Sequence, residues 1–276
     1  MHKPLLHFAH ANGFPSKVYS YLFEQLSADF DIAFVPALGI DPAYQVDNHW
    51  QSLTQQVIDS VQRALVERGQ TTAIGIGHSL GSLCTLQAAY RMPELFSQVI
   101  CLDPPLLTGR YAMLVHWAKR NSPKLLDQLT PAGMTSRRRD VWASRQAAAA
   151  SLRSKPLYRD FDERCFADFI RYGLSDTPDG QVTLTIPKSV ELAVYRNNPS
   201  LYWLKPNQPP AVPAYLMVGQ DSVFYQRGAA RDLKAKQGID YTVRKGGHMF
   251  PLEHPDATVQ AIKDRIAAVQ AHQQQS

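Results

Sequence analysis

The pentapeptide Gly77-His78-Ser79-Leu80-Gly81 constrains this chain more than any other stretch of it. It has the pattern Gly-x-Ser-x-Gly, in which a serine occupies a strained turn between a strand and a helix. Five residues recur by chance in many proteins, and a glycine-rich turn can be only a turn, so the flanks decide the reading. Thr71 to Ile76 is a short β-branched, apolar run suited to a buried strand, and Leu80 to Met92 is a helix-compatible run that stops at Pro93. Such a turn forces its central residue into an unfavourable backbone conformation, and side chains two positions to either side would collide with the neighbouring strand or helix. Glycine at positions 77 and 81 removes both collisions.

The rest of the chain extends this unit in both directions. Leu5 to Ala9 reads as a strand running into the turn His10-Ala11-Asn12-Gly13-Phe14-Pro15, Tyr19 to Leu26 as a helix, and Asp31 to Val35 as a second strand. Trp50, Leu53, Val57, Val61, Ala64 and Leu65 mark one face of a long helix that stops at Gly69. Beyond the pentapeptide helix, a strand from Gln98 to Leu102 ends in Asp103-Pro104-Pro105. About a hundred residues of mainly helical pattern follow, with an alanine run at Ala147 to Ala150, a turn at Asp176 to Gly180 and a short extended stretch at Val182 to Ile186. The proline-rich Lys205 to Pro210 leads out of this block. Strand and helix then resume with Ala214 to Val218, Gly228 to Lys236 and Tyr241 to Arg244, and a last helix from Pro255 carries the stripe Val259, Ile262, Ile266 and Val269. Alternation on both sides of an interruption implies an α/β fold, a mostly parallel sheet flanked by helices. Residues 1–105 and 209–276 would form its core, and 106–208 an inserted, mainly helical cap over the C-terminal strand ends, where open α/β sheets bind ligands.

With 276 residues, 45% of them hydrophobic and 19% charged, the chain has the composition of an ordinary globular protein. It contains neither a run of about 18 apolar residues nor an apolar N-terminal segment of signal-peptide type, so no membrane span is expected. Cys84, Cys101 and Cys165 are odd in number and lack metal-ligand spacing, which reads as reduced thiols in a cytoplasmic protein with no metal and no cofactor. The net charge of +5 is unevenly spread: between Leu106 and Gln208, 16 Lys and Arg face 9 Asp and Glu, whereas the remainder carries 13 against 15. Arg137, Arg138, Arg139, Arg145, Arg153, Lys155 and Arg159 read first as a solvated helical face and second as an attractor of an anionic substrate or surface. No nucleic-acid motif accompanies them, so a nucleic-acid partner is not expected.

A serine hydroxyl is a weak nucleophile and needs a base held by a third group. Gly246-Gly247-His248 supplies a histidine after the last strand, on a loop that two glycines free to reach over the turn, while His254 belongs to the start of the final helix and His78 points elsewhere. In these residues the chain resembles the α/β-hydrolase superfamily, and within it the serine esterase and lipase-like branch with a helical cap. The resemblance spans nearly the whole chain, which begins at the strand usually counted third. His10 to Pro15 resembles the oxyanion loop, and Glu253 and Pro255 resemble the usual surroundings of the catalytic histidine.

The resemblance implies Ser79 as nucleophile and His248 as base. The acid departs from the pattern: in Gly219-Gln220-Asp221-Ser222 the position three beyond the glycine is Ser222, with Asp221 one earlier. Asp103, at the end of the preceding core strand, is the preferred acid and Asp221 the alternative. For the oxyanion hole the resemblance implies the backbone N–H groups of Leu80 and Asn12, with Phe14 as a second choice for the latter. The implied activity is hydrolysis of a carboxylic ester or thioester through an acyl-enzyme, on a small-molecule acyl substrate with an apolar part. Alternatives are a carbon–carbon bond hydrolase using the same Ser-His pair and a non-catalytic ligand-binding protein. Serine at position 79 argues against dehalogenases and epoxide hydrolases, which use aspartate there. Tyr111, Trp117, Trp142, Phe166, Phe169, Tyr195 and Trp203 could wall an acyl pocket, although each on its own reads first as core of the inserted segment.

Overall fold

In the computed structural model, residues 3–200 and 208–275 are described, which leaves Trp203 and the first half of the proline-rich Lys205 to Pro210, residues 205–207, outside the described residues. Six parallel strands make the main sheet: β1 (Leu5–Ala9), β2 (Asp31–Phe34), β3 (Ala73–His78), β4 (Phe96–Leu102), β8 (Ala214–Gly219) and β9 (Asp240–Arg244), in the order β2-β1-β3-β4-β8-β9. The expected strands are thus all present and neighbours across the sheet. Their side chains alternate with the period of two that a pleated strand dictates. In β4, Val99 and Cys101 enter one buried cluster while Ile100 and Leu102 enter another. Both faces are therefore covered, as a parallel sheet requires.

Helices α2 (Gln51–Arg68), α3 (Leu80–Arg91) and α12 (Ala229–Gln237) cover the first face through Leu53, Val57, Val61, Leu83, Leu86 and Leu233. Helices α1 (Ser20–Leu26) and α14 (Pro255–Gln275) cover the second through Leu22, Leu26, Val259, Ile262 and Ile266. The last of these helices runs to Gln275.

Between β4 and β8 lie seven helices among the described residues: α4 (Gly109–Asn121), α5 (Pro123–Leu129), α6 (Ala132–Arg137), α7 (Arg145–Arg153), α8 (Pro156–Arg159), α9 (Glu163–Tyr172) and α10 (Lys188–Arg196). The same segment also holds a three-stranded antiparallel sheet, β5-β7-β6, made of β5 (Val141–Trp142), β6 (Leu174–Asp176) and β7 (Val182–Leu184). Only one of these strands was foreseen, because strands of two or three residues leave no readable alternation. The hairpin between β6 and β7 closes through the anticipated turn, with Gly180 N–H donating to Thr177 O at 3.0 Å. Trp142, Phe166 and Phe169 are buried in the second cluster, in keeping with the core reading, whereas Trp117 is 53% exposed. All three cysteines are buried and unpaired. Among the described residues no helix is long and apolar enough to cross a membrane.

Candidate active site

Ser79 stands between β3 and α3 with φ +52° and ψ −117°, in the left-handed half of backbone space that L-residues rarely occupy. A side chain at position 77 would drive into the Gly81 backbone, and one at 81 into the Ala9 carbonyl of β1, so only glycine fits at either place. Ser79 is the N-cap of α3 yet makes no side-chain cap bond. Its hydroxyl points instead to His248, with Oγ 2.8 Å from Nε2.

His248 follows β9 on the Gly246-Gly247 loop, and Glu253 of α13 (Phe250–Glu253) braces that loop by accepting the Gly247 N–H at 2.8 Å. Burial raises the Glu253 carboxyl above the ordinary range. On the other side of the ring, Nδ1 lies 2.6 Å from Asp103 Oδ2. Asp103 has no exposed surface, and three donors satisfy its carboxylate: Gly219 N–H on Oδ1 at 2.8 Å, and Ser222 Oγ–H at 2.5 Å together with the histidine on Oδ2. A buried carboxylate persists only with such partners. Asp103 has φ +40°, a conformation that aspartate tolerates better than most residues, and its N–H donates to Met217 O, which ties the turn to β8.

The loop after β1 is held from three directions. His10 donates from Nδ1 to Ala11 O at 2.8 Å and accepts the Leu38 N–H on Nε2 at 2.6 Å, while its carbonyl accepts the Gly81 N–H at 3.0 Å. Burial lowers its pKa to about 4, so the imidazole is neutral, as the two opposed bonds require. Phe14 N–H is spent on Ala11 O, whereas no hydrogen bond among the described residues takes up the backbone N–H of Asn12 or of Leu80. Asn12 Nδ2 donates to Glu191 O of α10 at 3.2 Å, and Phe14 packs 5.2 Å from Phe169, so the intervening segment leans on this loop.

His78, the residue of the pentapeptide to which the sequence assigns no partner, joins the two loops. Its Nε2 donates to the His248 carbonyl at 2.9 Å, and its Nδ1 accepts from Tyr19 Oη at 2.6 Å; that hydroxyl in turn accepts the Ala11 N–H at 3.4 Å. Burial lowers the pKa of His78 to about 3 and raises that of Tyr19, so the relay is uncharged. No sequence signal linked Tyr19 to it. For Ser222 there was one, a hydroxyl standing where the resemblance expects an acid.

Asp221 is not brought to His248. Its carboxylate is exposed and accepts from its neighbour Gln220 at 3.3 Å. The basic residues of the intervening segment are largely occupied. Arg145 caps the carbonyls of Ile170, Arg171 and Leu174, Arg153 those of Tyr158 and Phe161, and Arg139 that of Val141. Arg138 pairs with buried Glu191, and Arg159 with Asp160 at 3.3 Å. Arg137 and Lys155 have no ion-pair partner among the described residues. Two surface clefts of about 550 and 350 Å³ open at the opposite, N-terminal end of the sheet, the first beside Lys3, Arg68 and Gln70 and the second beside Pro4, Gln70 and Gln98, and touch neither Ser79 nor His248.

The chain is 26% identical over 183 residues to the type I acyl-CoA thioesterase mpaH of Penicillium roqueforti, covering 62% of this chain and 40% of that protein. It is 25% identical over 215 residues to a protein of the same description from Penicillium brevicompactum, covering 66% and 47%. The chain thus spans less than half the length of these curated relatives. Among solved structures, E-2-(acetamidomethylene)succinate hydrolase superposes with a TM-score of 0.73 at 17% identity, covering 96% of this chain and 92% of that one. A thioesterase domain from the curacin biosynthetic pathway superposes with a TM-score of 0.67 at 15% identity, covering 94% and 90%. The model of the alpha/beta hydrolase family matches residues 8–261, nearly the whole chain. The chain belongs to the alpha/beta hydrolase family.

Proposed function

We propose that this protein is a carboxylesterase-like serine hydrolase that cleaves a carboxylic ester or thioester through an acyl-enzyme intermediate. The observation that supports this best is the unbroken line from Ser79 Oγ through both ring nitrogens of His248 to Asp103, with separations of 2.8 and 2.6 Å. In this reading Ser79 Oγ attacks the carbonyl carbon while His248 Nε2 takes its proton, and Asp103 stabilises the imidazolium that forms. The carbonyl oxygen becomes an oxyanion facing the N–H groups of Asn12 and Leu80, which have no competing acceptor among the described residues, with the positive end of α3 behind Leu80. Collapse of the intermediate expels the alkoxide or thiolate, which receives the proton from His248. Water then attacks the acyl-Ser79 ester with His248 again as base, releasing the carboxylic acid. Residues 106–208 act as the cap that excludes bulk water, and the likeness to proteins described as acyl-CoA thioesterases favours a thioester among the substrates.

A fluorophosphonate probe tests this reading, since it modifies only an activated serine. The wild-type protein should label and the Ser79→Ala variant should not. An acyl-CoA and p-nitrophenyl ester series should then be turned over with a chain-length preference. Failure of the folded wild-type protein to label would remove the enzyme reading.

A further inference from the structure

Oδ2 of Asp103 is shared. It receives His248 Nδ1 at 2.6 Å and the Ser222 hydroxyl at 2.5 Å, while Oδ1 receives only a backbone N–H. The direction of the Ser222 bond is settled by its surroundings. Ser222 Oγ already accepts the Phe224 N–H at 3.3 Å, and only 1% of the residue is exposed, so water does not compete for the hydroxyl hydrogen. That hydrogen therefore goes to Asp103, and two donors draw on the charge of one oxygen. Resting on the serine-hydrolase reading, we propose that Ser222 is a positioning residue: its hydroxyl sets the direction and strength with which Asp103 holds the His248 imidazolium.

The physical consequence has a definite sign. A donor on a carboxylate oxygen stabilises its charge and weakens it as an acceptor. With Ser222 present, Asp103 stabilises the imidazolium less than it would with that oxygen left to the histidine alone. Without it, the full charge of Oδ2 falls on Nδ1, and His248 binds its proton more tightly. Among the described residues, His78 at the end of β3, whose ring centroid is 5.4 Å away, and Glu253 on α13 also act on His248. Neither touches Ser222, so replacing the serine leaves their fields in place. Ser222 also caps α11 (Val223–Gln226), a structural role that an alanine would remove and a threonine keep.

The test compares wild type, Ser222→Ala and Ser222→Thr. The pH dependence of kcat/KM for p-nitrophenyl butyrate is read at the isosbestic wavelength of p-nitrophenol, and the urea midpoint of each protein is measured in parallel. In Ser222→Ala the acid limb should move up by about half to one pH unit with KM little changed, and Ser222→Thr should return it. An acid limb that stays in place or moves down while only the urea midpoint falls would reduce Ser222 to its helix-capping role and overturn the proposal. Titration of ring-labelled His248 by NMR gives the same comparison without turnover. If the wild-type protein neither hydrolyses the ester nor labels with fluorophosphonate, the hydrolase reading fails, and the NMR titration still decides the role of Ser222.

Discussion

Two residues of the candidate site sit at positive φ, Ser79 at +52° and Asp103 at +40°, and each is held there by a bond to the next strand. Ser79 N–H donates to Leu102 O at 2.9 Å, and Asp103 N–H to Met217 O at 2.8 Å. Strain retained by such bonds at adjacent turns points two side chains out of the sheet edge toward one imidazole. Ser79 and His248 were legible in the sequence because glycines bracket the one and precede the other. Asp103 was legible only as a preference, since a carboxylate one residue off the expected position can be judged only from the aim of its loop, which depends on contacts far along the chain. The geometry makes the two aspartates unequal in a measurable way. Asp103→Asn should lower kcat about 10³- to 10⁴-fold, because the neutral amide no longer stabilises the imidazolium or enforces its tautomer. Asp221→Asn, altering an exposed carboxylate that accepts from Gln220, should leave kcat within about twofold. Steady-state rates on any ester the wild type accepts decide the point, and equal losses in both variants would contradict it.

At the scale of elements, the site is assembled on the C-terminal edge of the sheet, where ligands bind in open α/β folds. The loop after β1 brings Asn12, the turn after β3 brings Ser79, β4 ends in Asp103, β8 leads to Ser222, and the loop after β9 carries His248. The ends of β4 and β8 both reach the Nδ1 side of the histidine, one with an acid and the other with a hydroxyl. This near-equivalence leads to a prediction. Because Ser222 Oγ lies 2.5 Å from the oxygen that meets Nδ1, an aspartate at 222 brings a carboxylate into the same space. The double variant Asp103→Asn, Ser222→Asp should recover at least about tenfold in kcat/KM over Asp103→Asn alone, where the single change Ser222→Asp should not raise the wild-type rate. No recovery would mean that the β8 turn cannot aim an acid at His248. Strands and helices of this core were legible because each carries its own periodicity. Of the small sheet in the inserted segment only β7 was legible, and the tasks of the segment's arginines were not, since Arg145 caps carbonyls 25 to 29 residues away and no local pattern records such a bond.

For the whole molecule, three fully buried histidines set the response to acid. Burial lowers the pKa of His7 to about 3, assisted by Arg68, that of His10 to about 4 and that of His78 to about 3. All three lie below the value of about 6.5 expected in the unfolded chain. Between those limits the unfolded chain binds more protons than the fold, so the stability these groups confer is fully present above pH 6.5 and is lost as pH falls toward 4. All three act in the same direction in that window, and each steepens the loss of stability as the pH falls. Glu191 and Glu253, whose carboxyls burial raises, act with the opposite sign and offset part of this. Urea unfolding should therefore show a midpoint that falls steeply between pH 6.5 and 5, and a flat midpoint across that range would refute the assignment.

The scatter of the site along the chain has a further consequence. Asn12, Ser79, Asp103, Ser222 and His248 span most of the sequence, and they meet only when β1, β3, β4, β8 and β9 have taken their places side by side. No fragment shorter than residues 12–248 contains the set, and the strand pairings that join its members are non-local, the kind of contact that forms late. If Ser79 and His248 act as proposed, turnover gauges completed assembly: during refolding, helical signal should return before activity, and the interval between them would time the docking of the final strands.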